Sequence, residues 1–218
     1  ELHLTINGGI INIISGNDGI NTNEDNVSVT TINGGKLNIL CNGATGEGDG
    51  IDSNGWLVIN GGTVIAQACA ISGDAGIDSD KGIFINGGEV MVSGNMLDPI
   101  AGGNQTYAVF NFASRNNENV TYTLKNVSEE VVFEYTSVNA FTYLVIAGDK
   151  LVSSDYTLWA GNIQLAANKI QNMQGASPEM SNGEQFQQGI SPELPERIDR
   201  PTPPNGEVPQ LPNGEMPK

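Results

Sequence analysis

The tetrapeptide Ile-Asn-Gly-Gly begins at Ile6, Ile32, Ile59 and Ile85, returning after 26, 27 and 26 residues. Self-similarity at one short period marks a solenoid, in which each repeat buries its apolar face only by stacking on the next. The repeat has a second half. DGINTN opens at Asp18, DGIDSN at Asp49, and AGIDSD at Ala75 with Asp74 just upstream. One unit therefore reads as an acidic bend, a short strand, an Asn-Gly-Gly corner and a second strand, which is a coil of a parallel β-helix.

Around each corner apolar residues alternate with period two, the signature of a strand. The inward positions are Leu4, Ile6, Ile11 and Ile13, then Thr30, Ile32, Leu37 and Ile39, then Leu57, Ile59, Val64 and Ala66, then Ile83, Ile85, Val90 and Val92. Stacked at the strand spacing of about 4.8 Å they form ladders of like residues. Their burial stabilises the coil by about 25 cal/mol per Å² of apolar area. The corner requires positive φ, which glycine adopts freely and asparagine tolerates. Asn7, Asn33, Asn60 and Asn86 are thus expected to stack as a structural amide ladder. Cys41 and Cys69 are expected to point inward as small apolar fillers, since parallel neighbours strain a disulfide. Outward on the second strands stand Ile10, Ile14, Leu40, Ile65 and Met91. A stripe that apolar normally has a cover, here expected from the chain's own later part.

The repeat breaks between Leu97 and Asn104, where Asp98-Pro99 and Gly102-Gly103 mark a turn. Strand-like runs follow at Tyr107 to Phe112, Val120 to Leu124, Val131 to Tyr135, Thr142 to Ile146 and Tyr156 to Trp159. Hairpin-length connections make them an antiparallel set that caps the last coil, whose edge would otherwise offer unpaired backbone groups. Ile163 to Met173 is compatible with a short helix, and from about Gln174 the chain is proline-rich, with PNGE and PELP fragments. The expected architecture is all-β: right-handed parallel β-helix coils over 1–104, an antiparallel capping region over 105–162, and a linker with a Pro-rich tail over 163–218.

A net charge of -16 and a pI near 4.1 argue against nucleic acid or an anionic membrane surface as direct partner. An anionic ligand would need a bridging cation. No apolar run is long enough to span a bilayer, so direct membrane insertion is not expected. Glu1 enters the repeat half-way, as a processed chain would, and the low basic content leans towards a secreted or cell-surface protein.

Each acidic bend groups three oxygen-bearing side chains: Asp18, Asn21 and Asn23; Asp49, Asp52 and Asn54; Asp74, Asp78 and Asp80. Stacking brings successive bends together, and clustered carboxylates repel unless a cation sits among them. Oxygen ligands of this kind are what calcium takes, in sixes to eights. The spacing is not that of an EF-hand, because no glutamate closes the loop. Turn chemistry alone, with Asp and Asn bonding their own backbone, is the alternative. Beside the bends, the outward side of the first strands carries Trp56 and Phe84, with Lys81 close by. A ring next to a cation could stack on a sugar while the ion holds a uronate; Trp56 could equally pack beneath the later strands. His3 has no partner at catalytic spacing.

The DGI[DN] bends and INGG corners resemble a bacterial carbohydrate-binding β-helix family, found in clostridia and relatives and polysaccharide-lyase-like in fold. VVFEYTSVNAFTYLVIAGDKLVSSDYTLWAGN, Val131 to Asn162, is similar to that family's closing region. The resemblance implies calcium in the bends and affinity for plant cell-wall polysaccharide such as pectin or cellulose. Ala75 stands where the family pattern has a leading Asp, and DGINTN offers amides where acid is usual, so those two bends are expected to hold metal more weakly. A lyase would also need a basic residue near the metal. Lys81 is the candidate, since no arginine precedes Arg115. No catalytic residue is assigned: the reading is a calcium-dependent polysaccharide-binding module, with a lyase or a structural cell-surface spacer as alternatives.

Overall fold

The computed structural model describes residues 2–152 and 155–165, and among them every regular element is a strand. The first rung consists of β1 (His3–Ile6), β2 (Ile10–Ser15) and β3 (Ile20–Thr22), and the second of β4 (Val29–Ile32), β5 (Lys36–Cys41) and β6 (Ile51–Ser53). The third holds β7 (Trp56–Ile59) and β8 (Thr63–Gln67), its bend reduced to a single parallel bridge from Ile77 to Ile51. The fourth holds β9 (Gly82–Ile85) and β10 (Glu89–Gly94), and β11 (Ile100–Gly102) adds a last parallel strand beside β9. Strands before the corner form one parallel sheet, β1-β4-β7-β9-β11, and those after it a second, β2-β5-β8-β10.

Register follows the repeat. Ile6 pairs with Ile32, Ile32 with Ile59 and Ile59 with Ile85, so the inward ladders are continuous. Ile32, Leu37, Leu57, Ile59, Val64, Ile83, Ile85 and Val90 are fully buried between the two sheets. At the corners the amides stack as expected: Asn33 Nδ2 donates to Asn7 Oδ1, Asn60 to Asn33 and Asn86 to Asn60, each at 2.8 Å. Gly62 shows why the corner ends in glycine. Its φ is +88°, and a Cβ there would lie 2.6 Å from the Gly35 carbonyl oxygen of the rung beneath. Cys41 and Cys69 are both buried and free.

The later strands are β12 (Tyr107–Asn111), β13 (Val120–Asn126), β14 (Val131–Ser137), β15 (Tyr143–Ala147), β16 (Tyr156–Ala160) and β17 (Ile163–Gln164). β15 pairs antiparallel with β10 and β12 with β15, so the second sheet of the solenoid ends in two antiparallel strands that close its edge. The remaining four form a separate sheet, β14-β13-β16-β17, which encloses a second core around Phe110, Tyr122, Leu124, Phe141 and Leu144. Phe141 meets Tyr122 edge to face with ring centroids 5.0 Å apart.

Two expectations need correction. The cap covers only the late rungs: Met91 and Ile65 pack into its core, whereas Ile10 and Ile14 are 77% and 73% exposed. The cap is tethered to the last rung through β15 and extends back to Asn139, whose amide bonds the Cys41 carbonyl of the second rung, leaving the first rung bare. Ile163 and Gln164 form a strand against Ala160 and Trp159 rather than opening a helix, since pairing outweighs local propensity in so short a piece. The rest of the helix-compatible stretch and the proline-rich tail lie outside the described residues.

Candidate cation and glycan site

The bend positions alternate in and out. Thr22, Ser53 and Ser79 point inward, and their hydroxyls bind neighbours across the rungs: Thr22 Oγ1 donates to Ser53 Oγ at 2.9 Å, and Ser79 Oγ to the Gly55 carbonyl at 2.7 Å. This buried polar seam explains the Thr or Ser that follows each DGI[DN]. It also fixes the residues beside it, so that Asn21 pairs with Asp52, and Asp52 is followed one rung on by Asp78. One oxygen each of Asp49, Asp52 and Asp78 lies within 4.8 Å of the others.

The remaining acids divide between tasks. Asp18 is engaged at both oxygens, accepting the Asp49 backbone N–H at 2.9 Å and the Asn21 amide at 2.6 Å. Asp49 repeats the first contact one rung on, accepting the Ala75 N–H at 2.6 Å through a single oxygen. Asp74 accepts the Gly48 N–H and the Ser72 hydroxyl. The leading acids thus staple rung to rung rather than bonding the backbone of their own bend. Asn54 donates to Asp25 at 2.7 Å, and Asn21, Asn23 and Asp80 are exposed.

Asp98 belongs with this group although the repeat pattern hides it. Its Oδ2 accepts the Ser79 N–H at 3.0 Å, and its charge acts on Asp78 and Asp80. The fifth rung is short, pairing Ile100 with Ile83 after 17 residues, so Asp98 falls off the 26-residue register. Aligning Ile100 rather than the acid itself is the signal that finds it.

Partial burial makes these charges costly. Loss of water lifts the Asp49 carboxyl to about 7, with Asp78, Asp74 and Asp18 adding repulsion against the help of the Ala75 N–H. Asp52 rises to about 6 for the same first cause, with Asp18, Asp78 and Asp80 behind it. Asp98 rises to about 7, and Asp78 rises too, mainly through desolvation. No basic side chain neutralises them: the ion pairs among the described residues are Lys125–Glu129 and Lys150–Glu89, both on the later strands or the far end of β10. The donor set fits a hard cation. Oxygens up to 4.8 Å apart can share one ion, because calcium bonds oxygen at about 2.3–2.6 Å on either side.

Trp56, Phe84 and Lys81 follow the bends directly. Trp56 is half-buried on the outward face of β7 and belongs to neither core, so it does not pack beneath the later strands. Phe84 is half-buried on β9 and leans over Gly82 and Gly102. Lys81 is exposed, and its backbone N–H bonds the Gly55 carbonyl at 2.8 Å.

Residues 2–106 match the family model described as "Carbohydrate-binding domain-containing protein". The match ends where the regular rungs end, a little under half of the 218 residues, and contains every acidic bend. Together with the β-solenoid fold it supports carbohydrate binding. Neither the curated proteins nor the solved structures contain a match to the chain.

Proposed function

We propose that this protein is a carbohydrate-binding β-helix module that holds acidic plant cell-wall polysaccharide, of the pectin or polygalacturonate kind, through calcium at its acidic bends. One observation carries the reading. Three half-buried carboxylates from successive rungs converge within 4.8 Å, with no ion pair among the described residues to balance them, on the segment that matches a carbohydrate-binding family. Asp49, Asp52 and Asp78 would hold the ion, with Asp98 and Asp80 adding field. Bound there, calcium supplies the positive charge that a chain of net charge -16 lacks for a uronate. Trp56 and Phe84, on the same outward side, offer faces for sugar rings, and Lys81 a donor. Such a partner places the protein outside the cell or on its surface.

Retention on polygalacturonate with and without chelator tests the reading. The module is retained with calcium, released by EDTA, and not retained as Asp52→Asn with Asp78→Asn. Retention indifferent to chelator would remove calcium from the account, and absence of retention on acidic and neutral glycans alike would leave a structural spacer. Unsaturated product absorbing in the ultraviolet, lost in Lys81→Ala, would make it a lyase instead.

A further inference from the structure

The outer face of the cap sheet carries a second arrangement suited to sugars, away from the acidic bends and outside residues 2–106. Tyr122, Leu124, Phe133, Tyr135 and Leu158 turn their side chains into the cap core, so the alternate positions of β13, β14 and β16 face solvent. Register then sets one side chain per strand in a straight row. Glu134 pairs with Thr123, Thr123 with Trp159, and Trp159 with Gln164. The row crosses all four strands, about 14 Å at the usual strand spacing. It has a carboxylate and a hydroxyl on one side of an indole ring and a carboxamide on the other.

The ring is held in place. Trp159 Nε1 donates to Thr157 Oγ1 at 2.9 Å, so its polar atom is satisfied within the protein and the half-buried indole offers apolar surface where it meets solvent. Lys125 Nζ lies 4.4 Å from the ring centroid and pairs with exposed Glu129 at 3.8 Å. The Lys125 side chain is 27% exposed, and an ion pair this long with an exposed partner contributes little, so a ligand displaces the ammonium at small cost. A second pair of hydroxyls, Thr121 and Thr136, bond each other at 3.0 Å on the same face.

We propose that this row binds a neutral polysaccharide chain, independently of calcium and of the acidic bends. The apolar face of a pyranose stacks on the part of Trp159 that stays open to solvent, displacing the Lys125 ammonium from the ring. Glu134, Thr123 and Gln164 supply acceptors and donors for the hydroxyl groups of the sugars on either side. Charge selects the neutral class. Glu129, Glu130 and Glu134 crowd this sheet around the single Lys125, so a uronate polymer is repelled where a glucan is not.

Electrophoresis through gels containing hydroxyethyl cellulose, with EDTA present, tests it. The native protein is retarded relative to a gel without the glucan. Trp159→Ala loses at least four-fifths of that retardation, whereas Trp56→Ala and Asp52→Asn keep it and Lys125→Ala is retarded at least as much as the native chain. Melting curves establish that Trp159→Ala is folded. If it is not, the exposed double variant Glu134→Ala with Gln164→Ala takes its place and loses retardation several-fold. No retardation of the native protein, or full retardation of these variants, overturns the proposal. Neither result touches calcium-dependent retention on polygalacturonate, which reads the other site.

Discussion

Replacing Asp52 by Asn removes one of the three converging charges while keeping its shape, and its effect on stability should change sign with calcium. Two unit charges 4.8 Å apart repel by about 3.5 kcal/mol at an effective dielectric of 20. Asp52 and its neighbours are only half-buried, so solvent reduces this to about 1 kcal/mol. In chelator near pH 8 the variant should therefore melt about 2–4 °C above the native protein. Calcium at about a hundred times its dissociation constant stabilises the native fold by about 2.7 kcal/mol. Asp52→Asn has lost a ligand and gains less, so the order of melting reverses. The assay is a thermal melt of both proteins in EDTA and in calcium across pH. In chelator, a carboxyl raised above its ordinary value stabilises the fold while protonated, and that contribution is lost as pH climbs through the raised value. The native protein should thus weaken from about pH 4 to about pH 8, most steeply near 5 to 6, where the unfolded chain has lost these protons and the folded chain still holds them, and should level off as Asp52, Asp49 and Asp98 ionise near 6 to 7. The advantage of Asp52→Asn should vanish at the acid end. A variant less stable than native in both media, or equal in both, refutes the reasoning.

Gly62→Ala forces a side chain into positive φ and against the Gly35 oxygen, and chemical denaturation should show a loss of about 2–4 kcal/mol. Asn139→Ala should cost about 1–3 kcal/mol, because its amide bonds the Cys41 and Ala68 carbonyls at 2.7 Å each and pins the cap to two rungs. Its loss should speed proteolysis of the cap before the rungs. The paired exchange Ile10→Thr with Ile14→Thr should move stability by no more than about 0.5 kcal/mol, since both side chains already stand in water.

The rungs were legible because one chemical demand repeats. Each corner needs glycine at positive φ, from the second rung on over a backbone oxygen, the inward sites are almost all aliphatic, and the same pairs meet at every level, from Ile6 with Ile32 to Ile59 with Ile85. The cap strands were legible from their aromatic alternation, but not their docking. That depends on contacts such as Gln67 Oε1 accepting the Val138 and Asn139 N–H groups, 71 and 72 residues away. For the same reason nothing local showed that Ile65 and Met91 would be covered and Ile10 and Ile14 left bare. Within the acidic bends, spacing grouped the acids correctly in sequence but could not say which oxygen faces a backbone N–H. Asp18 accepts the Asp49 N–H of the next rung and Asp74 the Gly48 N–H of the rung before, whereas Asp52 and Asp78 turn towards each other. Asp98 escaped because a shortened rung broke the period, and the Glu134 to Gln164 row exists only once four strands are in register.

Calorimetric titration of calcium into the native protein and into Asp49→Asn with Asp52→Asn and Asp78→Asn measures the central claim most directly. The account predicts saturable binding with proton release in the native chain, because ligands raised towards neutrality must ionise to take the metal. It predicts heats no larger than dilution in the triple variant. Heats at the dilution level for the native protein, or saturation unchanged by the three substitutions, would contradict it.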